Sequence, residues 1–284
     1  MKKAIRMHLW MLILGLWLVA GQFIAMAIQS LLGIEGMYGG MIFMVVVFLP
    51  LCMIYPLVHK DTSVKPYPLK RLSTRDFGGT LVISVAIGMI AMFGYLLAGG
   101  STQALEALSN YPMWAVILFP GILIATLDEL FFRGVLYSDY RSRGVSIWQT
   151  AIVISVLSAL VHQNSPLILV LMVFTRIIWV FMRYWTKSIW PPILSHVIIN
   201  IGLNISLPRF LTYEDQTLLI IIFGIFSLVA VAVSYLSLKN MKARHDEYAS
   251  PEAVIEAPQK SMGQVFNLVF WALLALLVLL QFAS

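Results

Sequence analysis

Long apolar runs separated by short polar stretches make up almost the whole chain. Runs close to the twenty residues that a helix needs to cross a bilayer's hydrocarbon core fall at about 8–32, 38–58, 78–99, 112–136, 147–165, 166–184, 190–207, 217–238 and 264–283. The pattern predicts an all-α, polytopic transmembrane bundle of eight or nine helices, the fifth to seventh runs being closely spaced. The run 8–32 is too long for the apolar stretch of a secretory signal, so it reads as a retained first helix. The polar stretches 60–76 and 239–263 are only loop-sized. The second contains an acidic, proline-bearing stretch from Asp246 to Gln259 and reads as a linker before the last helix. This organisation divides the chain into N-terminal helices (1–111), a central unit (112–207) and C-terminal helices with their linker (208–284, linker 239–263).

Composition agrees with the pattern. Of the 284 residues, 60% are hydrophobic and 11% charged, whereas a soluble surface needs about 25% charged residues. The net charge of +6 invites a nucleic-acid reading until the positions are considered. With a cytoplasmic N-terminus, 16 of the 19 Lys and Arg residues fall in cytoplasmic segments, and only Arg209 falls opposite. That alternation is the positive-inside rule. The expected partner is therefore the lipid bilayer and no nucleic acid. Cys52 is the single cysteine, which excludes an intrachain disulfide. Neither an internal repeat nor an inverted pair of broken helices is present, which argues against a transporter.

The informative residues are the ionisable ones inside the spans, because charge there is costly and is retained for a reason. The fourth run carries Asp128, Glu129 and Arg133, the fifth His162, the sixth Arg176, and the seventh His196 and Asn200. Glu129 and Arg133 are four apart and share a helix face, as do His196 and Asn200. If the fourth helix continues through Arg141 and turns near Gly144, Glu129 and His162 lie at similar depth on a hairpin. His196, only a few residues past Pro191-Pro192, is expected to lie shallower. A carboxylate beside histidines can act as general base on a water. The same set can instead hold a zinc ion (Zn2+) through His162, His196 and Glu129. An amide or neutral histidine can stabilise an oxyanion. Taken singly, each residue also has a structural reading: an intrahelical ion pair for Glu129 with Arg133, a counter-ion for Arg176, interhelical hydrogen bonding for the histidines and Asn200.

Asp-Glu-x-x-x-Arg-Gly at 128–134, a histidine at 162, and His-x-x-x-Asn at 196–200 after Trp-Pro-Pro-Ile-Leu together resemble the CAAX protease and bacteriocin-processing family, also called the Abi or CPBP family. The resemblance covers about 112–205. It implies an intramembrane endopeptidase acting on a peptide or membrane-protein substrate near the cytoplasmic side, with Asp128, Glu129, Arg133, His162, His196 and Asn200 as site residues. Asp128 takes the place of the first motif glutamate, the presumed base, and the metal stays open. It further implies a multi-pass protein of a bacterial cytoplasmic membrane. Two positions depart from the pattern: Asp128 is one methylene shorter than the motif glutamate, and Ser158 replaces the aromatic four residues before His162. The first departure sustains a rival reading, a non-catalytic membrane scaffold, immunity factor or regulator of a partner enzyme. The second reads as a packing change.

Overall fold

A computed structural model describes residues 16–17, 20–58, 63–98, 110–162, 165–211, 213 and 215–248. Every element among them is helical. We number the helices α1 (Ala20–Leu32), α2 (Gly36–Val58), α3 (Thr74–Leu97), α4 (Met113–Ser142), α5 (Ile147–Leu160), α6 (Pro166–Thr186), α7 (Trp190–Leu211) and α8 (Gln216–Tyr248). Six of them, α2, α3, α4, α6, α7 and α8, are long and apolar enough to cross a membrane. The chain is thus a multi-pass membrane protein built as a polytopic helical bundle. The predicted run at 264–283 and most of the first run's beginning lie outside the described residues.

Three elements differ from their expected form, the first of them α8, which runs on to Tyr248 and so takes in the start of the expected linker 239–263, whose remainder lies outside the described residues. The fifth run, expected over 147–165, yields a helix of 14 residues, about 21 Å at 1.5 Å per residue, against the roughly 30 Å of a hydrocarbon core. It stops because His162 is followed by polar Gln163-Asn164-Ser165 and then Pro166, whose ring disfavours helical backbone before it. Helix α4, expected as one run over 112–136 continuing through Arg141, is π-helical over Ile117–Ile124 and again over Leu130–Leu136, with one α-helical turn, Ala125–Glu129, between. π-Helical turns recur at functional sites because they re-aim side chains. The helix does run on past Arg141, and Gly144, in the left-handed region at φ +77°, turns the chain into α5.

Helix α4 lies between α2 and α7, α5 folds back beside α6, and α3 packs along α7 and α8. Close backbone approach holds several contacts, as expected where lipid removes the hydrophobic drive between helices. A Cβ on Gly121 would lie 2.7 Å from Ile201, and one on Gly134 would lie 2.5 Å from the Tyr67 ring. The core beneath is aromatic, with Phe48 and Phe131 at 4.9 Å between ring centroids.

The polar stretch before α3 is a fixed strap over 63–73. Tyr67 donates its hydroxyl to the Cys52 carbonyl at 2.6 Å, Ser188 donates to the Lys70 carbonyl at 2.8 Å, and the Ile189 amide donates to the Pro68 carbonyl at 3.1 Å. Arg183, counted above among the cytoplasmic charges, is instead buried and donates to the carbonyls of Lys65 and Pro66 at 2.9 and 3.3 Å. The turn from α6 into α7 therefore lies beneath this strap, with Ser188 and Ile189 fully buried.

Candidate active site

Asp128 and Glu129 end the α-helical turn between the two π-helical segments, and both are 0% exposed. Helix α6 meets them with a buried stripe at Arg176, Trp179, Val180 and Arg183, the i, i+3, i+4, i+7 spacing of one helix face. Helix α7 contributes Ser195 and His196, both buried. Because α7 starts inside the protein beneath the strap, His196 lies level with the carboxylates, and the depth difference suggested by Pro191-Pro192 disappears.

The network is dense. Glu129 Oε1 accepts from Arg133 Nη1 at 3.2 Å and lies 2.9 Å from His196 Nδ1. Asp128 Oδ2 accepts from Arg176 Nη1 at 3.0 Å, with Arg133 Nη1 at 3.8 Å and His196 Nδ1 at 3.6 Å. Two carboxylates thus face two guanidiniums, and the site is charge-balanced without the histidines. Truncating one partner of such a buried set leaves an uncompensated charge, typically at a cost of about 3–5 kcal/mol. Both guanidiniums also donate to Ser158 Oγ, Arg133 at 3.4 Å and Arg176 by a closer contact. Ser158 is accordingly a polar member of the site, which an aromatic side chain could not be.

His162, half-buried, is joined to this network through Arg176. Its Nδ1 lies 2.9 Å from the Ser158 carbonyl, which can only accept, so Nδ1 carries the proton. Arg176 Nη2 lies 3.3 Å from Nδ1 and 3.2 Å from Nε2, and Nε2 is then the one of the two that can accept from it. Asn200 makes no hydrogen bond to the carboxylates. Its amide donates to the Pro120 carbonyl at 3.0 Å, tying α7 to the first π-helical segment.

Three residues of the site carried no signal in any motif. Trp179 stacks on His196, with ring centroids 4.6 Å apart and planes at 29°, and donates its indole N–H to Ser195 Oγ at 2.8 Å. The Arg133 guanidinium lies 5.2 Å from the same ring, a cation–π distance. Arg183 donates to the Arg133 carbonyl and so fixes the motif's backbone. The helical spacing of Trp179 and Arg183 from Arg176 is the one sequence feature that pointed to them.

The chemistry follows from what is left over. Among the described residues, Asp128 Oδ1 and Glu129 Oε2 are buried and have no hydrogen-bond partner. One ligand atom each from Asp128, Glu129 and His196 lies within 4.8 Å of the others. Two oxygens and an imidazole fit a divalent ion by donor type. His162, expected among the ligands, is not in this trio, because its acceptor nitrogen faces Arg176.

Residues 110–202 match the family model of the type II CAAX prenyl endopeptidase Rce1-like proteins. No curated protein and no solved structure gives a significant match. Over those residues the chain aligns with the CAAX-type intramembrane protease family that its three motifs resemble.

Proposed function

We propose that the chain is an intramembrane endopeptidase in which the Asp128–Glu129 pair activates water for attack on a peptide bond. The observation that carries this reading is that each carboxylate has one oxygen held by an arginine and one buried oxygen without a partner among the described residues. The held oxygens, Glu129 Oε1 and Asp128 Oδ2, fix the side chains. The free ones, Asp128 Oδ1 and Glu129 Oε2, are the acceptors for a water proton. A positioned general base contributes about 10²–10⁴-fold in rate. His196 Nδ1 donates to Glu129, which leaves Nε2 as a second acceptor whose plane is set by Trp179. The Arg133 and Arg176 guanidiniums offset the charge that develops on the attacked carbonyl oxygen.

A divalent ion, if bound, would be held by Asp128, Glu129 and His196 and would lower the pKa of a bound water. Metal content of the purified protein, compared between wild type and His196→Ala, measures whether it is there. A stoichiometric ion lost in the variant assigns it to this trio. The distribution of Lys and Arg among the segments between the spans supports a cytoplasmic N-terminus, and the proposed cleavage is near that side of a bacterial cytoplasmic membrane.

The test is complementation of a deletion strain with Asp128→Asn, Glu129→Gln and His196→Ala, each measured for membrane abundance. Loss of function at normal abundance supports a protease. Full function in all three sinks it in favour of a non-catalytic scaffold or regulator, the reading that Asp128 in the motif glutamate's place sustains.

A further inference from the structure

The end of the bundle beneath which α6 turns into α7 carries a cavity of about 480 Å³, walled by the strap, the start of α3, the α6–α7 turn and α8. Its charged lining is one-sided. Lys70, Arg71, Arg75, Lys187 and Arg244 face a single carboxylate, Asp76, which Arg244 already engages at 2.6 Å. The side chains of the other four cations have no ion-pair or hydrogen-bond partner among the described residues. The positive-inside rule explains why these charges sit at this end. It does not explain why they wall one basin.

Two features show that the basin is built. Lys70 and Arg71 stand on a strap whose backbone is bonded to Ser188 and Ile189, so their positions are set by the fold. Lys187 has φ 52°, left-handed backbone at the end of α6, where glycine is the ordinary choice. A side chain kept there against that preference points to a use for its ammonium group. A second, apolar groove of about 350 Å³ adjoins the basin, with Arg71 and Leu72 lining both. It is framed by Phe77, Trp190 and Leu194, and the Phe77 and Trp190 side chains are exposed.

We propose that the basin binds the phosphate-bearing headgroup of an anionic membrane lipid, with an acyl chain in the adjoining groove. Basic recesses between membrane helices recognise such headgroups, and each cation near the surface is worth about fivefold in affinity. The apolar groove is what distinguishes a lipid from a free phosphate ion, which would have no use for it. The site lies apart from the carboxylates and does not depend on their chemistry.

Native mass spectrometry of the full-length, delipidated protein tests this with phosphatidylglycerol, phosphatidylcholine and inorganic phosphate as probes. Wild type should retain phosphatidylglycerol at least about tenfold more strongly than phosphatidylcholine, and millimolar phosphate should not displace it. Combining Lys70→Ala, Arg71→Ala and Lys187→Gly should lower that retention on the order of a hundredfold. Lys239→Ala with Lys242→Ala, which removes charge from α8 away from the basin, should leave it unchanged. Phe77→Ala keeps every charge and should still weaken the lipid severalfold. Equal loss in the α8 variant, displacement by phosphate, or no effect of Phe77→Ala would each overturn the assignment.

Discussion

The α3–α8 pair and the α4–α6–α7 group are both made of long apolar helices, yet they are held together differently. Between α3 and α8 the contacts are close and almost wholly uncharged. A Cβ on Gly79 would lie 2.9 Å from Met241, one on Gly224 would lie 3.3 Å from Phe93, and Ser227 reaches the Met89 carbonyl at 3.4 Å. Hydroxyls inside α3 turn back on their own helix, Thr80 to the Asp76 carbonyl at 2.7 Å and Ser84 to Thr80 at 2.6 Å. The ion pair of this region, Arg244 with Asp76, sits at its edge and is partly exposed. In α4–α6–α7 three carboxylates (Asp128, Glu129 and, paired separately with Arg143, Asp139), three arginines and a histidine are buried. The uncharged pair shows that helices here associate without buried ions, as membrane helices generally do by close fit. The charged network is therefore not required for packing, and its cost calls for a function.

Isosteric neutralisation should break the comparison most sharply. Glu129→Gln and Asp128→Asn keep shape and leave most of the network, so abundance should hold while activity in the complementation assay falls about a hundredfold or more. Neutralising Asp76 by Asp76→Asn, which breaks the exposed pair, should change stability by no more than about 1 kcal/mol. Next in size, Arg176→Ala leaves Asp128 without its nearest cation and should destabilise the protein by about 3–5 kcal/mol in a detergent melt. Ser158→Phe, which restores the aromatic of the family pattern, should be similarly damaging here, because both guanidiniums occupy that space. A smaller effect is expected at Gly134→Ala, about 1–3 kcal/mol from overlap with Tyr67. Gly88, with open space around its Cβ direction, should instead gain up to about 1 kcal/mol on conversion to alanine. Smallest, Trp179→Phe keeps the stack on His196 and loses only the bond to Ser195, about 1 kcal/mol, so activity should fall about fivefold or less.

The same contrast explains what the sequence disclosed. Apolar runs announced the helices because bilayer thickness fixes their length, and charge inside those runs marked Asp128, Glu129, Arg133 and Arg176 because it is so rarely tolerated. The turn at Gly144 was legible from glycine's backbone freedom. The early stop of α5 was written in Gln163-Asn164-Ser165-Pro166, but run length masked it. Of the π-helical turns of α4, the first contains Pro120, which has no N–H to give to the helical ladder and was the one local hint; nothing in the sequence around Leu130–Leu136 marks the second. Ser158 was misread as packing because nothing local reveals that two arginines from different helices converge on it. Arg183 looked like a surface cation because its partners are backbone carbonyls of the strap, which carry no sequence signal.

The central claim is that the paired carboxylates cut peptide bonds. Its most direct test is a survey of new protein and peptide termini in membranes of cells expressing either wild type or Glu129→Gln at matched abundance. Wild type should yield a defined set of termini that is absent with the variant. Identical profiles, with the variant folded and equally abundant, would contradict it.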